Sequence, residues 1–159
     1  MTAPRVPEGK DPYSIRRASW SRDREALQWV REQVFVLEQG VPRELEWDAR
    51  DAEAIHLLAE DAAGDPLGTA RLLPSGQIGR MAVLAQWRKQ GIGSQLLCRL
   101  LQIARDEKLP LPWLNSQTVA VGFYLRAGFT VEGEEFLEAG IPHRRMSWRP
   151  DTEQGEKGG

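Results

Sequence analysis

The chain has 159 residues, a formal net charge of −2, 41% hydrophobic residues and 28% charged residues, which predicts one soluble domain with its own core. The lack of a basic excess argues against nucleic acid as the main partner. The single cysteine, Cys98, excludes an internal disulfide and a cysteine-based metal cage. No apolar run reaches the roughly 18–20 residues of a membrane span, and residues 1–10 lack the apolar core of a signal peptide, so we expect a cytoplasmic protein outside the membrane.

Proline, glycine and polar residues dominate the two ends of the chain. We therefore expect residues 1–11 and 150–159 to be disordered, with a single domain over residues 12–149. Apolar spacing and turn residues divide this domain into elements. In chain order, the prediction is a strand over 13–20, a helix over 21–38, strands over 54–60, 67–73 and 77–84, a helix from about 91, a strand over 111–115, a helix over 118–127, and a hairpin of strands over 129–136 and 142–148. This order predicts an α/β (α+β) fold, in which helices cover a mixed sheet.

The stretch from Arg88 to Ser94, with the sequence RKQGIGS, separates a predicted strand from a predicted helix. Glycines let a backbone approach a ligand closely, and a helix N-terminus attracts an anion. A phosphate loop of the GxxxxGK[ST] type is excluded because Ser94-Gln95 follows the last glycine, and a dinucleotide-binding GxGxxG is excluded because position 96 is leucine. The pattern predicts a cradle that holds a pyrophosphate without cleaving it. A plain loop before a core helix is the alternative.

Two blocks of sequence extend this pattern. The first is Ile78–Val83 followed by Arg88-x-x-Gly91-x-Gly93, and the second is Gln117-x-x-Ala120-x-x-Phe123-Tyr124-x-x-x-Gly128-Phe129. Together they resemble the coenzyme A-binding motif and the Tyr-x-x-x-Gly-Phe signature of the GCN5-related N-acetyltransferase (GNAT) family. Two shorter pieces, 34–39 and 140–143, are similar to the ElaA-like branch. The resemblance covers residues 12–149 and implies a GNAT fold, whose mostly antiparallel mixed sheet splays apart between strands four and five.

The resemblance implies an enzyme that transfers an acetyl group from acetyl-coenzyme A to a primary amine by direct attack, with no metal. The pantetheine arm would lie along the backbone of strand four, and the pyrophosphate would bind the amides of the glycine loop. The implied cofactor-binding residues are Met81, Ala82, Val83, Arg88, Lys89, Gln90, Gly91, Ile92, Gly93, Ser94, Gln117 and Phe123. The acceptor would be a small-molecule or peptide amine, and a homodimer is left open.

The implied general acid is Tyr124, whose alternative role is packing against its aromatic neighbours. The base that takes the proton of the amine is Glu38 or His143, because both lie at element ends in the ElaA-like pieces. His56 or a relay of water to several carboxylates is an alternative base, since a histidine titrates near neutral pH. An acyl-cysteine route through Cys98 is disfavoured because a small thiol between leucines is usually buried and inert.

Two further alternatives concern the acceptor and the activity. The segment Arg43–Asp48 either forms an acidic mouth that attracts a cationic amine or is a solvated acidic loop. The protein either turns its substrates over or is a sensor of the same fold that binds acyl-coenzyme A without reaction. The two histidines, without a cluster of cysteines or carboxylates, predict no metal site.

Overall fold

A computed structural model describes residues 12–149, and both ends that we expect to be disordered lie outside these residues. The strands are β1 (Tyr13–Ala18), β2 (Ile55–Asp61), β3 (Pro66–Leu72), β4 (Ile78–Val83), β5 (Trp113–Gln117), β6 (Phe129–Glu138) and β7 (Ile141–Trp148). The helices are α1 (Trp20–Arg31), α2 (Arg43–Glu46), α3 (Ile92–Asp106) and α4 (Val121–Arg126). A π-helical segment spans Glu32–Glu38, and short 3₁₀ turns span Asp51–Glu53, Ala85–Trp87 and Thr118–Ala120.

The strands form two antiparallel sheets that meet at one edge. The first sheet has the order β1-β2-β3-β4, and the second has the order β5-β7-β6. Between the sheets, β4 and β5 run in the same direction and are joined by one parallel bridge, from Gln77 to Trp113. The prediction of a mostly antiparallel sheet that separates between the fourth and fifth strands is therefore confirmed.

The core lies between the first sheet and the helices that cover it. On α3, Leu96, Leu97, Leu100 and Ala104 are all buried, at the spacing of one helical face. They pack with β2 and β3, where Leu57 and Leu72 have no exposed surface. Burying a leucine stabilises the fold by about 1.5–3 kcal/mol, so this face holds α3 and the loop before it in place. Among residues 12–149, no helix combines the length and apolar character needed to cross a bilayer.

The predicted elements agree with the structure except between β1 and β2. The single helix predicted over 21–38 is α-helical only to Arg31 and then widens into the π-helical segment. The stretch between the π-helical segment and β2, for which no element was predicted, contains α2 and a 3₁₀ turn. A π-helix closes i→i+5 hydrogen bonds in place of i→i+4, and over a segment as short as Glu32–Glu38 the apolar spacing does not distinguish the two windings.

Candidate active site

A cleft opens where β4 and β5 diverge. Beyond the Gln77–Trp113 bridge the two strands belong to different sheets, and a cavity of about 450 Å³ lies between them. Its walls include Met81 from β4, Gln117 from β5, Tyr124 from α4 and His143 from β7. The splayed strands therefore bring residues from four distant parts of the sequence to one cavity.

The edge of β4 that faces this cleft leaves the N–H of Val83 without a partner among the described residues, while the carbonyl of Val83 accepts from Arg88 Nε at 2.8 Å. The N–H of Leu84 donates to the carbonyl of Leu67 at 2.9 Å, and Gly68 is the register partner of Val83. In an antiparallel ladder this pattern makes Gly68–Val83 a non-hydrogen-bonded pair, so the N–H and C=O of Val83 point away from β3. The cleft edge of β4 can thus bind an extended chain through its backbone.

A bulge interrupts β4 just before these residues. Thr69 pairs with Ala82, whereas Arg71 pairs with Gly79, so one residue of β3 faces two residues of β4. Arg80 has a φ of +50°, in the left-handed region that non-glycine residues rarely occupy. The bulge re-aims successive side chains, and both Arg80 and Met81 line the cavity.

The loop before α3 presents a row of unpaired amides. Within residues 12–149, the six backbone N–H groups from Lys89 to Ser94 have no hydrogen-bond partner, and the first one used by the helix is that of Gln95, which donates to Gly91 at 3.0 Å. Lys89 and Gly91 have φ values of +65° and +86°, which curl the loop around the N-terminus of α3. A Cβ at Gly93 would lie 3.6 Å from the ring of Phe123, which is an ordinary van der Waals distance. Packing therefore does not require a glycine at this position. Six free amides at a helix N-terminus suit an anion such as a pyrophosphate.

Arg88 does not point freely toward this cradle. Its Nη1 and Nη2 donate to the two carboxylate oxygens of Glu38 at 2.7 and 2.6 Å, and its Nε donates to the carbonyl of Val83 at 2.8 Å. The Arg88 guanidinium lowers the pKa of Glu38 below its ordinary value. This pair ties the end of the π-helical segment to the loop. Lys89 is exposed and forms no ion pair among the described residues, so it is the cation of this loop left for a ligand.

A second link crosses the mouth of the cleft beside this ion pair. Gln117 Nε2 donates to Gln39 Oε1 at 2.8 Å, which joins β5 to the residue that follows the π-helical segment. Gln39 and Gln117 line the cavity, but Glu38 does not. The structure therefore places Glu38 beside the loop that precedes α3, outside the cavity that contains Tyr124 and His143.

Tyr124 lies against β4 inside the cleft. Its O–H is 3.6 Å from Met81 Sδ, and its ring packs edge-on against Phe123 and Phe129 at centroid distances of 4.9 and 5.7 Å. Burial raises the pKa of Tyr124 to about 12. The phenol thus stays protonated at neutral pH and can donate a hydrogen bond to a group bound beside Met81. The packing role and the role at the site are both compatible with this position.

His143 lies across the cavity, near the start of β7. Its side chain is only 7% exposed, stacks on Phe136 at 5.9 Å, and places Nδ1 2.7 Å from the carbonyl of Ile141. Because a carbonyl oxygen can only accept, Nδ1 carries the proton in the neutral ring, which leaves a lone pair on Nε2. Nε2 has no partner among the described residues and is not enclosed. His143 can therefore accept a proton from a ligand in the cavity.

The two alternatives at His56 and Cys98 lie away from the cavity. His56 is buried, stacks on Trp20 at 5.1 Å and places Nε2 2.8 Å from the carbonyl of Asp51. Burial lowers the pKa of His56, so the ring stays neutral and structural. The expectation of a buried thiol at position 98 is wrong, because Cys98 is exposed on the outer face of α3. Within residues 12–149, no group of three metal-ligating side chains comes together.

Buried ion pairs support one wall of the cavity. Arg31, only 1% exposed, bonds Glu46 and also donates to both oxygens of Asp51 at 3.0 and 3.1 Å. Glu46 itself lines the cavity and is 3% exposed. The acidic segment is therefore neither a solvated loop nor an open acidic mouth, because arginines neutralise its innermost carboxylates.

Arg71 and Arg80 extend this group to the cavity surface. Arg71 Nη1 donates to Asp48 at 2.9 Å and to Asp51 at 3.0 Å, while Arg80 Nη2 donates to Asp48 at 3.1 Å and to the carbonyl of Glu46 at 3.2 Å. Both arginines line the cavity, and neither was predicted from the sequence as a site residue. The signal was present, since each is a charged residue inside an otherwise apolar strand.

The chain matches known proteins along most of its length. A profile described as the acetyltransferase (GNAT) domain matches residues 21–150. The chain belongs to the GNAT family. A curated relative of this GNAT protein, the uncharacterized N-acetyltransferase YjcF of Bacillus subtilis (strain 168), is 40% identical over 122 residues, which cover 74% of this chain and 86% of the relative.

Solved structures agree with this assignment. An acyl-CoA N-acyltransferase from Pseudomonas aeruginosa is 32% identical with a TM-score of 0.76, and the match covers 88% of this chain and 100% of that chain. Escherichia coli ElaA is 26% identical with a TM-score of 0.77, over 86% of this chain and 99% of that one. The resemblance drawn from the glycine loop is thus confirmed. This GNAT protein is a transferase that moves an acyl group from acyl-coenzyme A.

Proposed function

We propose that this GNAT enzyme transfers an acetyl group from acetyl-coenzyme A to a primary amine by direct attack. The observation that carries the proposal is a continuous path in the cleft. Six free amides at the start of α3 lead to the open edge of β4, and this edge leads to a cavity that contains Tyr124 and His143. The order of these three parts matches the order of the diphosphate, the amide-containing arm and the reactive end in acetyl-coenzyme A.

The donor-binding residues follow from this path. The amides of Lys89–Ser94 bind the pyrophosphate, with Lys89 as the nearby cation, and the backbone groups of Met81 and Val83 bind the pantetheine arm. Arg88 acts indirectly, because its contacts to Glu38 and Val83 fix the loop against the strand. Acetyl-coenzyme A supplies the acetyl group as a thioester. The N–H of Val83 is available to donate to an oxygen of the donor.

His143 is the base in this proposal. An alkyl ammonium has a pKa of about 10.4 and must lose a proton before its nitrogen can attack. The free Nε2 of His143 can accept that proton inside the cavity. Glu38 is less suited, because both of its oxygens bond Arg88 and its lowered pKa makes it a weaker base.

Tyr124 assists the leaving group. As the C–N bond forms, the C–S bond breaks, and the second proton of the amine nitrogen passes to the departing sulfur. A thiol has a pKa of about 8.5, against about 12 for Tyr124, so complete transfer from the phenol is uphill by about 5 kcal/mol. Tyr124 therefore acts chiefly by donating a hydrogen bond to the departing sulfur.

Release of the coenzyme A thiol in the presence of a panel of primary amines tests the proposal. We expect thiol release that depends on both the amine and acetyl-coenzyme A, with an acetylated amine of the correct mass. A protein that binds acetyl-coenzyme A but releases no thiol with any amine would instead be an acyl-coenzyme A sensor. Absence of binding would remove the glycine loop from the proposed site.

A further inference from the structure

Two arginines on the β3–β4 wall keep hydrogen-bond donors for a ligand. The Arg71 side chain is only 5% exposed, and it uses Nη1 alone for its contacts to Asp48 and Asp51. Its Nη2 has no partner within residues 12–149, yet it is not enclosed. Nη1 of Arg80 also has no partner within residues 12–149 and is not enclosed, because Nη2 donates to Asp48 and to the carbonyl of Glu46, while Nε lies 3.3 Å from Glu46 Oε1.

The two guanidiniums lie close together, since both donate to Asp48, at 2.9 Å from Arg71 and 3.1 Å from Arg80. Burial and the positive charge of Arg71 lower the pKa of Arg80, and these effects outweigh the nearby Glu46. The three arginines of this group face three carboxylates, so their charges balance in number. The guanidinium nitrogens that have no partner among the described residues are donors for a bound anion.

The backbone at Arg80 supports a role in binding. A φ of +50° costs free energy at a non-glycine residue, and such strain clusters at active sites and ligand-binding sites. Arg80 lies in the bulge of β4, and its side chain lines the cavity.

The opposite wall of the cavity has a different character. His143 offers the lone pair of Nε2, and Glu138 is an exposed carboxylate without a hydrogen bond or ion pair to other described residues. An ammonium group fits this wall, and a carboxylate fits the wall of Arg71 and Arg80. The two ends of one small molecule can satisfy both walls of a cavity of about 450 Å³.

We propose that the acceptor is a small amino carboxylate, whose carboxylate binds Arg71 Nη2 and Arg80 Nη1 while its amine lies beside His143. This inference rests on the proposed acetyl transfer and specifies its substrate class. A carboxylate that receives N–H bonds from two guanidiniums makes charge-assisted contacts that a neutral amide cannot replace.

Matched pairs of acceptors test the proposal on the wild-type protein. The panel runs from glycine through β-alanine to γ-aminobutyrate, and each acid is compared with its primary amide in the thiol-release assay. We expect kcat/KM to favour the best acid over its amide by roughly 10- to 100-fold, the usual value of a hydrogen bond to a charged group. The α-amino amide has the less basic amine, so chemical reactivity alone would favour the amide. Equal rates, or a preference for amides throughout the panel, would overturn the proposal.

Substitutions at Arg80 separate recognition from folding. Arg80→Gln should lower the rate with the acid by at least about 10-fold more than the rate with the amide, and Arg80→Lys should give an intermediate preference. Arg99→Gln removes an arginine from the exposed face of α3, outside the cavity, and should keep the wild-type preference. If Arg80→Gln lowers the rates for acid and amide equally, Arg80 only supports the fold and the proposal fails.

A binding measurement keeps this test separate from the test of acetyl transfer. The melting temperature of the protein saturated with coenzyme A is measured with each acid and each amide. In the wild type, we expect the preferred acid to raise the melting temperature and its amide to leave it unchanged. In Arg80→Gln, the acid should no longer raise the melting temperature. Such a result without any turnover would contradict the acetyltransferase proposal but support the carboxylate site. Turnover of amines without any preference for acids would support the acetyltransferase proposal but contradict the carboxylate site.

Discussion

Gly91→Asp gives a quantitative test of the cofactor loop. Gly91 has a φ of +86°, and a Cβ at this position would have nothing within 4 Å, so the substitution costs strain but meets no clash. Gly64, in the turn between β2 and β3, has a φ of +89° and equally open surroundings. Gly64→Asp is therefore a matched control, and both variants lose about 1–2 kcal/mol from the left-handed backbone.

The variants differ in what a ligand meets. A carboxylate about 5 Å from one pyrophosphate charge, at an effective dielectric constant of about 20, is repelled by about 3 kcal/mol, which weakens binding by more than about 100-fold. Acetyl-coenzyme A at about 100 times its Kd stabilises the protein by about 2.7 kcal/mol. For a chain of this size each kcal/mol moves Tm by about 2–4 °C, so the rise is roughly 5–10 °C for the wild type and Gly64→Asp. In Gly91→Asp it should fall below about 1 °C.

Differential scanning calorimetry with and without acetyl-coenzyme A measures these shifts. Gly91→Asn has nearly the same shape as Gly91→Asp without its charge, and it should retain much of the shift. A full shift in Gly91→Asp would refute the reasoning, because the pyrophosphate could not then lie at this loop. Loss of the shift in Gly64→Asp as well would mean that general destabilisation, and not repulsion, is responsible.

Three further predictions concern catalysis and stability. Tyr124→Phe should lower kcat by roughly 100-fold with little change in donor affinity, and full activity in this variant would mean that Tyr124 is only a packing residue. Because the pKa of Tyr124 is about 12, the wild-type rate should show no alkaline loss from this phenol up to about pH 10. His143→Ala should lower kcat by roughly 100-fold with little change in donor affinity, because the cavity loses the group that accepts the proton of the amine. Glu38→Gln should keep most of the activity, and the opposite pattern would make Glu38 the base. Arg31→Ala should lower the free energy of unfolding by about 3–5 kcal/mol in urea denaturation, because it leaves Glu46 and Asp51 buried without this partner. A loss below about 1 kcal/mol, which is typical of an exposed salt bridge, would contradict the buried network.

The local features of the site could be predicted from the sequence. The glycine loop, the apolar face of α3 and the Tyr124 block are set by neighbours in the chain, so composition and spacing reveal them. The order of strands followed from turn residues and alternation. These features were enough to indicate the family, and they are the basis of the proposed donor site.

The features that depend on distant pairing could not be predicted. Arg88 and Glu38 are 50 positions apart, and Arg80 and Asp48 are 32 apart, so no spacing rule links them. The bulge at Arg80 arises from the register between β3 and β4, which the alternation of one strand does not fix. The acceptor wall is built from such contacts. For this reason the sequence indicated the donor more clearly than the acceptor.

Amide hydrogen exchange with and without acetyl-coenzyme A tests the central claim most directly. If the six free amides and the open edge of β4 hold the donor, exchange should slow at Lys89–Ser94 and at Met81 and Val83, because these N–H groups gain partners or lose contact with water. The β2–β3 turn around Gly64 should exchange at the same rate in both samples. Protection confined to other elements, with unchanged exchange across residues 81–94, would contradict the account.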